Sequence, residues 1–336
     1  MTARTRTALV TGVTGQDGVY LARALLADGF RVIGTASPGS ASLPARRPYL
    51  EGVEVVEADV RDAAALTRLV DATAPEEVYN LAAFSSVGRS WQEPELTLAV
   101  NTDPVEALVA GSVVVAARTG RAPRLFQASS AEVRGGAADS PYARSKAVAE
   151  DVVRRAREDH GLHAVCGILY NHESPLRSPG FVTRKITRAA AAIGLGQQDT
   201  VTLGNLDVVR DWGFAGEYVD AMRRMLQTDD PVDVPLGTGV AHSLADLLGA
   251  AFAAAGVDDP EGRVLQDPSL VRPADTQRFV ADPGPARSLL GWTASVTFEE
   301  LVDHMVAVDT ERLRTGVEED VRYLSRLSRS MVHGEE

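Results

Sequence analysis

The chain has 336 residues, 45% of them hydrophobic, 24% charged and only 5% aromatic, so it can bury a substantial core as an ordinary globular protein. Its formal charge of −12 argues against a nucleic-acid partner, because binding a polyanion without sequence preference needs a basic face. The single cysteine, Cys166, excludes an intrachain disulfide, and six scattered histidines without ligand spacing give no expectation of a metal. No secretory signal is read at residues 1–7 and no apolar run is read as a membrane span, so a cytoplasmic protein with no membrane partner is expected.

Taken in chain order, residues 7–13 read as a buried strand and 17–28 as a helix that starts on a glycine turn. Strands are expected at 31–35, 53–57 and 77–81, with a helix at 62–74 between the last two. A long Ala/Val/Leu-rich helix over 93–119 contains Pro104, where a kink is expected. A strand at 124–128, a helix at 142–160 and a strand at 163–170 continue the alternation. That order predicts an α/β fold, a Rossmann-type doubly wound parallel sheet over residues 1–170. Residues 171–336 are more irregular and richer in Pro, Gly and Asp, with strands expected at 200–203 and 234–236 and helices at 182–194, 214–227, 244–255 and 298–315. They read as a smaller mixed α/β substrate-binding domain, partly interleaved with the first.

The segment TGVTGQDG sets Gly12, Gly15 and Gly18 three residues apart, directly after the first strand and at the start of a helix. Glycines there permit a tight turn and let a pyrophosphate rest on the helix N-terminus. The GxxGxxG spacing points to short-chain dehydrogenases, with Thr14, Gln16 and Asp17 completing the turn. Asp59 and Val60 after the third strand, where an adenine ring could be gripped, and Leu81, Ala82 and Ala83 after the fourth extend this cofactor site. The adenosine ribose should meet the end of the second strand, where Asp or Glu favours NAD and Arg favours NADP. The sequence there is TASPGS, with neither, and the choice between NAD and NADP stays open.

Further on, SPYARSKAVAE places Tyr142 and Lys146 four residues apart on one helix face. An ammonium beside a phenol favours the phenolate, which can take a proton from a sugar hydroxyl as hydride leaves the same carbon. The preceding strand ends in QASSAEVRG and offers Ser130 to the same hydroxyl. Glu132, two residues later, is a carboxylate that could remove the proton from carbon 5 once carbon 4 is a ketone, expelling the carbon 6 hydroxyl as water.

With these motifs, the stretches EEVYNLAA, GILYNHESP, FVTRKITRA, LGNLDVVRDWG and RPADT make the chain resemble GDP-mannose 4,6-dehydratases along nearly its whole length. The resemblance implies oxidation of carbon 4 with bound NADP, elimination of water across carbons 5 and 6, and return of the hydride to carbon 6. It implies catalytic roles for Ser130, where the family usually has threonine, and for Glu132, Tyr142 and Lys146. Ser85 and Ser90 match positions associated with the sugar. Asn171, Val182, Lys185, Arg188, Asn205, Arg210, Arg272 and Asp275 match the part that holds the nucleotide, a GDP-hexose by this resemblance. A homodimer or homotetramer is implied, with the helices at 93–119 and 142–160 resembling the pair that forms a four-helix dimer interface.

The chain also departs from the pattern. Ala131 replaces a serine, Arg134 replaces a tyrosine, the connection from Glu132 to Tyr142 is about a dozen residues shorter, and the arginine pair usual after the second strand is absent. An epimerase or reductase with the same Ser–Tyr–Lys set, and a catalytically silent dinucleotide-binding relative, are the alternative readings.

Overall fold

A computed structural model describes residues 5–134, 139–258, 261–270 and 278–325; Arg272 and Asp275 lie outside them. The chain divides into two compact units. The first comprises Met1–Leu169, Tyr218–Leu236 and Pro283–Thr293, and the second Tyr170–Glu217, Gly237–Asp282 and Ala294–Glu336.

In the first unit the chain runs β1 (Thr7–Thr11), α1 (Gln16–Ala27), β2 (Arg31–Ala36), α2 (Ser42–Arg46), β3 (Glu54–Glu57), α3 (Ala63–Thr73) and β4 (Glu77–Asn80). It continues with α4 (Val87–Ser90), α5 (Pro94–Thr119), β5 (Arg124–Ser130), α6 (Pro141–His160) and β6 (Ala164–Leu169). β1, β4 and β6 are buried at every residue, as strands covered on both faces must be, whereas β3 lies at the sheet edge and is half-buried. Across the sheet the order is Val234–Leu236, β6, β5, β4, β1, β2, β3, with every neighbouring pair parallel. The order reverses between β1 and β4, and ligands of such sheets bind beyond the strand ends at this switch point. Residues 234–236, expected as a strand of the later part of the chain, pair Leu236 with Leu169 and so extend the first unit's sheet.

Local signals set the helix ends. The Asp62 side chain accepts the Ala65 amide and the Ser140 side chain accepts that of Ala143, while Gly120 and Gly161 close α5 and α6 in the left-handed conformation. One expectation needs correction. α5, at 26 residues and a mean hydropathy of 1.3, is long and apolar enough to cross a membrane. It packs instead against α3 and α6, with 56% of its apolar window buried, and Val105, Leu108 and Val115 join the core with Leu66, Val70 and Val153. Pro104 stands inside this helix.

Among the described residues the second unit holds three two-stranded sheets. Asn171–Glu173 pairs with Trp212–Phe214, Val209–Arg210 with His242–Ser243, and Val201–Leu203 with Val264–Gln266. All six of these strands are only two or three residues long, which leaves little periodicity to read. The helix expected at 214–227 spans Ala215–Met225, because Phe214 still belongs to a strand, and from Tyr218 onward it is part of the first unit. The core lies among helices Val182–Gly194, Leu244–Ala254 and Phe298–Thr315, with Ile186, Leu247, Phe252, Leu301 and Met305 in contact. Capping boxes at Ser243 and Thr297 start two of these helices.

A buried charge cluster ties the first of these helices to the last. Arg184 reaches Asp309 at 2.6 Å and donates also to the carbonyls of Pro175 and Arg177, while Thr187 and Arg312 donate to the same carboxylate. Removing one partner of such a cluster leaves the others charged and without compensation. Asp309→Ala should therefore lower stability by about 3–5 kcal/mol, read as a shift of the urea midpoint at unchanged slope.

Candidate active site

The glycines of the β1–α1 turn are required by contact. Gly12 has φ +70°, and a Cβ there would lie 2.9 Å from the Cα and N of Ala82 after β4. A Cβ on Gly18 would meet the Gly12 carbonyl oxygen at 2.4 Å. The Gly15 amide donates to that carbonyl at 3.0 Å, and no side chain caps the N-terminus of α1. Amides at a helix start that no side chain caps, with backbone able to approach closely, suit a diphosphate. The turn therefore fits the nicotinamide dinucleotide that the sequence implies. Thr11 braces the two strand ends, its hydroxyl donating to Asn80 at 2.6 Å and accepting the amides of Leu81 and Ala82. Gln16 and Val60 are buried, and the Asp59 carboxylate is forked by Arg61. That guanidinium holds the Asp59 carboxyl below its ordinary range.

β5 and α6 bring the reactive set together. Ser130 ends β5, Glu132 follows on a short 3-10 turn (Ala131–Arg134), and its amide donates to the Ser130 hydroxyl at 3.3 Å. Tyr142 and Lys146 lie one turn apart on α6, both buried, with the ammonium 5.9 Å from the tyrosine ring centre. Lys146 Nζ donates to the Ala128 carbonyl at 2.9 Å. Burial lowers its pKa to about 8, against attraction from Cys166 and Glu150. Burial also pushes the Cys166 thiol well up, so at neutral pH the sulfur is uncharged and the opposing charge is that of Glu150.

Two partners here were not read from the sequence. Glu150, one turn beyond Lys146, accepts the Ser129 hydroxyl and pairs with Arg134 at 2.8 Å. The arginine that replaces the family tyrosine thus ties the Glu132 turn to α6. Asn101 of α5 donates to the Ser145 hydroxyl at 2.8 Å and accepts the Phe84 amide, steadying the segment that carries Ser85. Ser85 is exposed, but Ser90 is fully buried and its hydroxyl is committed to the Val87 carbonyl at 2.7 Å.

In the second unit, Asn171 opens its strand, and Val182 and Lys185 sit exposed on the first turn of their helix. Arg188, next along, pairs with Glu318 at 3.2 Å. Asn205 accepts the Asp207 amide, so its side chain shapes its own loop. Arg210 stacks over Phe279 with its guanidinium 4.8 Å from the ring centre. Asp211 beside it is fully buried and accepts the amides of Thr238, Gly239 and Ala281 and the Thr238 hydroxyl. It anchors the strand that presents Arg210.

The profile of the family described as GDP-mannose 4,6 dehydratase matches residues 9–305. The chain belongs to this family. The GDP-mannose 4,6-dehydratase of Sinorhizobium fredii is 39% identical over 345 residues, covering 92% of this chain and 98% of that protein. Among solved structures, the UDP-glucose 4-epimerase of Thermus thermophilus in complex with NAD has a TM-score of 0.75 at 25% identity, covering 91% of this chain and 99% of that one. RMD from Pseudomonas aeruginosa complexed with NADPH has a TM-score of 0.74 at 22% identity, covering 92% and 98%.

The depressed Lys146 pKa makes stability depend on pH. Below about 8 the native state carries a buried ammonium at full cost. Between about 8 and the ordinary value of 10.5 the unfolded chain holds a proton that the native state has lost, so stability rises with pH across that window. Lys146→Met should abolish turnover yet stabilise the protein by about 2 kcal/mol near pH 7, with the gap closing toward pH 10. Denaturant melts of both proteins at three pH values read this directly; a gap that does not depend on pH contradicts it.

Proposed function

We propose that the protein is a hydro-lyase that removes water across carbons 5 and 6 of GDP-mannose, giving a 4-keto-6-deoxy nucleotide sugar. The observation that carries this reading is Glu132, held beside Ser130 on the turn that ends β5. Oxidation and reduction at carbon 4 need only the Ser–Tyr–Lys set, whereas elimination needs a further base.

Gly12, Gly15 and Gly18 with the first amides of α1 would hold the cofactor diphosphate, and Leu81 to Ala83 would border it. When bound, the nicotinamide supplies the hydride acceptor at carbon 4 and the donor at carbon 6. NADP, as the family resemblance implies, and NAD are the two forms considered. The Tyr142 oxygen takes the proton of the carbon 4 hydroxyl, with the Lys146 charge favouring the phenolate and Ser130 holding the same oxygen. Glu132 then takes the proton from carbon 5, which the neighbouring ketone has made acidic. As the bond from carbon 6 to its oxygen breaks, the departing hydroxide needs a proton. Ala131 has no hydroxyl to give, so Glu132 returns the one it took and water leaves; when carbon 6 is reduced, Glu132 passes a proton from solvent to carbon 5.

Lys185 and Arg210 would bind the nucleotide diphosphate, because paired phosphates call for cations and an arginine can grip them through two N–H groups. Asn171 and the Val182 amide would complete that contact. We further propose a homodimer through α5 and α6, supported by the exposed Leu98, Val114 and Val148 on these helices.

Incubation of the purified protein with GDP-mannose should give a product lighter by one water in mass spectrometry. Glu132→Gln should slow that loss by about 10²–10⁴-fold while oxidation at carbon 4, read as the absorbance of reduced nicotinamide, persists. Dehydration that survives the substitution removes the role given to Glu132, and isomerised sugar of unchanged mass favours the epimerase reading.

A further inference from the structure

We propose that Glu57 selects NAD over NADP at the adenosine end of the cofactor site. The inference rests on the reading that the β1–α1 turn holds a nicotinamide dinucleotide. In such sheets the adenosine ribose lies beyond the end of β2, and the charge found there separates the two cofactors. In this chain the loop after β2, residues 37–40, carries no charged side chain.

The fold supplies one from the next strand. The sheet register sets Glu57, the last residue of β3, opposite Ala36, the last residue of β2. The ladder runs one bond further, with the Ala58 amide donating to the Ala36 carbonyl at 2.9 Å. Beyond it the loop turns, the Ser40 amide donating to the Ser37 carbonyl at 3.0 Å and Gly39 adopting φ +66°. The Gly39 amide donates to Glu57 Oε2 at 3.1 Å. The carboxylate is thus fixed to the loop that follows β2, as if β2 itself carried the acid. Its Oε1 has no partner among the described residues and can accept a ribose hydroxyl.

A 2′-phosphate brought to the same place would set a charge of nearly −2 against this carboxylate. The nearest arginine after β3, Arg61, cannot offset it freely, because both oxygens of Asp59 already engage its guanidinium. Arg46, the last residue of α2 between β2 and β3, lies with its guanidinium 5.8 Å from the Tyr49 ring centre.

The test measures binding rather than turnover. Nucleotide released from the purified protein by denaturation is identified by mass spectrometry. Protein exchanged free of it is then titrated calorimetrically with NAD+ and with NADP+. The parent should release NAD and bind NAD+ at least about tenfold tighter than NADP+. Glu57→Gln keeps an acceptor for the Gly39 amide and removes the charge; it should tighten NADP+ by about tenfold and change NAD+ by less than about threefold. Adding Ser37→Arg to that variant should bring NADP+ to parity or beyond. A parent that prefers NADP+, or a Glu57→Gln protein whose preference is unchanged, overturns the proposal. Binding of neither nucleotide overturns the underlying reading of the turn, and the proposal with it.

Discussion

Lys146 carries its ammonium into the interior of the first unit and gives it to the carbonyl of Ala128, two residues before Ser130. An ammonium without solvent is expensive, and this one is tolerated because the carbonyl and the Glu150 carboxylate offset part of its desolvation. The bond joins the end of β5 to the second turn of α6. Whatever fixes Lys146 therefore also fixes Ser130 at the end of β5 and Tyr142 on α6. A second link, from Arg134 through Glu150 to Ser129, closes the same gap farther out. The connection between these elements is short, and these polar contacts tie its two ends together.

At the other end of the cofactor site the constraint is steric. Gly12 and Gly18 let β1, α1 and the residue after β4 approach to distances that no Cβ would allow. That closeness brings the N-terminus of α1 to the switch point of the sheet, where a diphosphate can meet it. The second unit is organised differently, around the buried carboxylates of Asp309 and Asp211. Asp309 holds two helices together; Asp211 holds three loop amides and sets the position of Arg210. In the second unit the charges most deeply buried act on the frame.

Much of this was legible in the sequence. The βα alternation, the glycine spacing and the Ser130, Glu132, Tyr142 and Lys146 set each rest on local rules of one strand, one turn or one helix; Ser130 ends β5, Glu132 stands on the turn after it, and Tyr142 and Lys146 share α6. What the sequence hid depends on register and packing. Glu57 lies some twenty residues from the Gly39 loop and meets it only because β3 pairs with β2. Residues 234–236 read as a strand, but nothing local says that it joins β6. Arg134 reads as a departure from the family until Glu150 is seen opposite it. Asp211 and Arg184 sit inside motifs that resemble substrate contacts, yet their side chains are buried in the frame. α5 is not read as a membrane span from the sequence, yet by length and composition it could be one, and only its packing against α3 and α6 shows where its apolar surface goes.

The most direct measurement is the fate of deuterium placed on carbon 4 of GDP-mannose. The account has one hydrogen leave carbon 4, stay within the site while Glu132 drives out water, and return to carbon 6 of the same sugar. Nuclear magnetic resonance of the product should show the label at carbon 6, undiluted by solvent hydrogen, with solvent hydrogen entering only at carbon 5. A label still on carbon 4, or a carbon 6 that carries solvent hydrogen in its place, would contradict it.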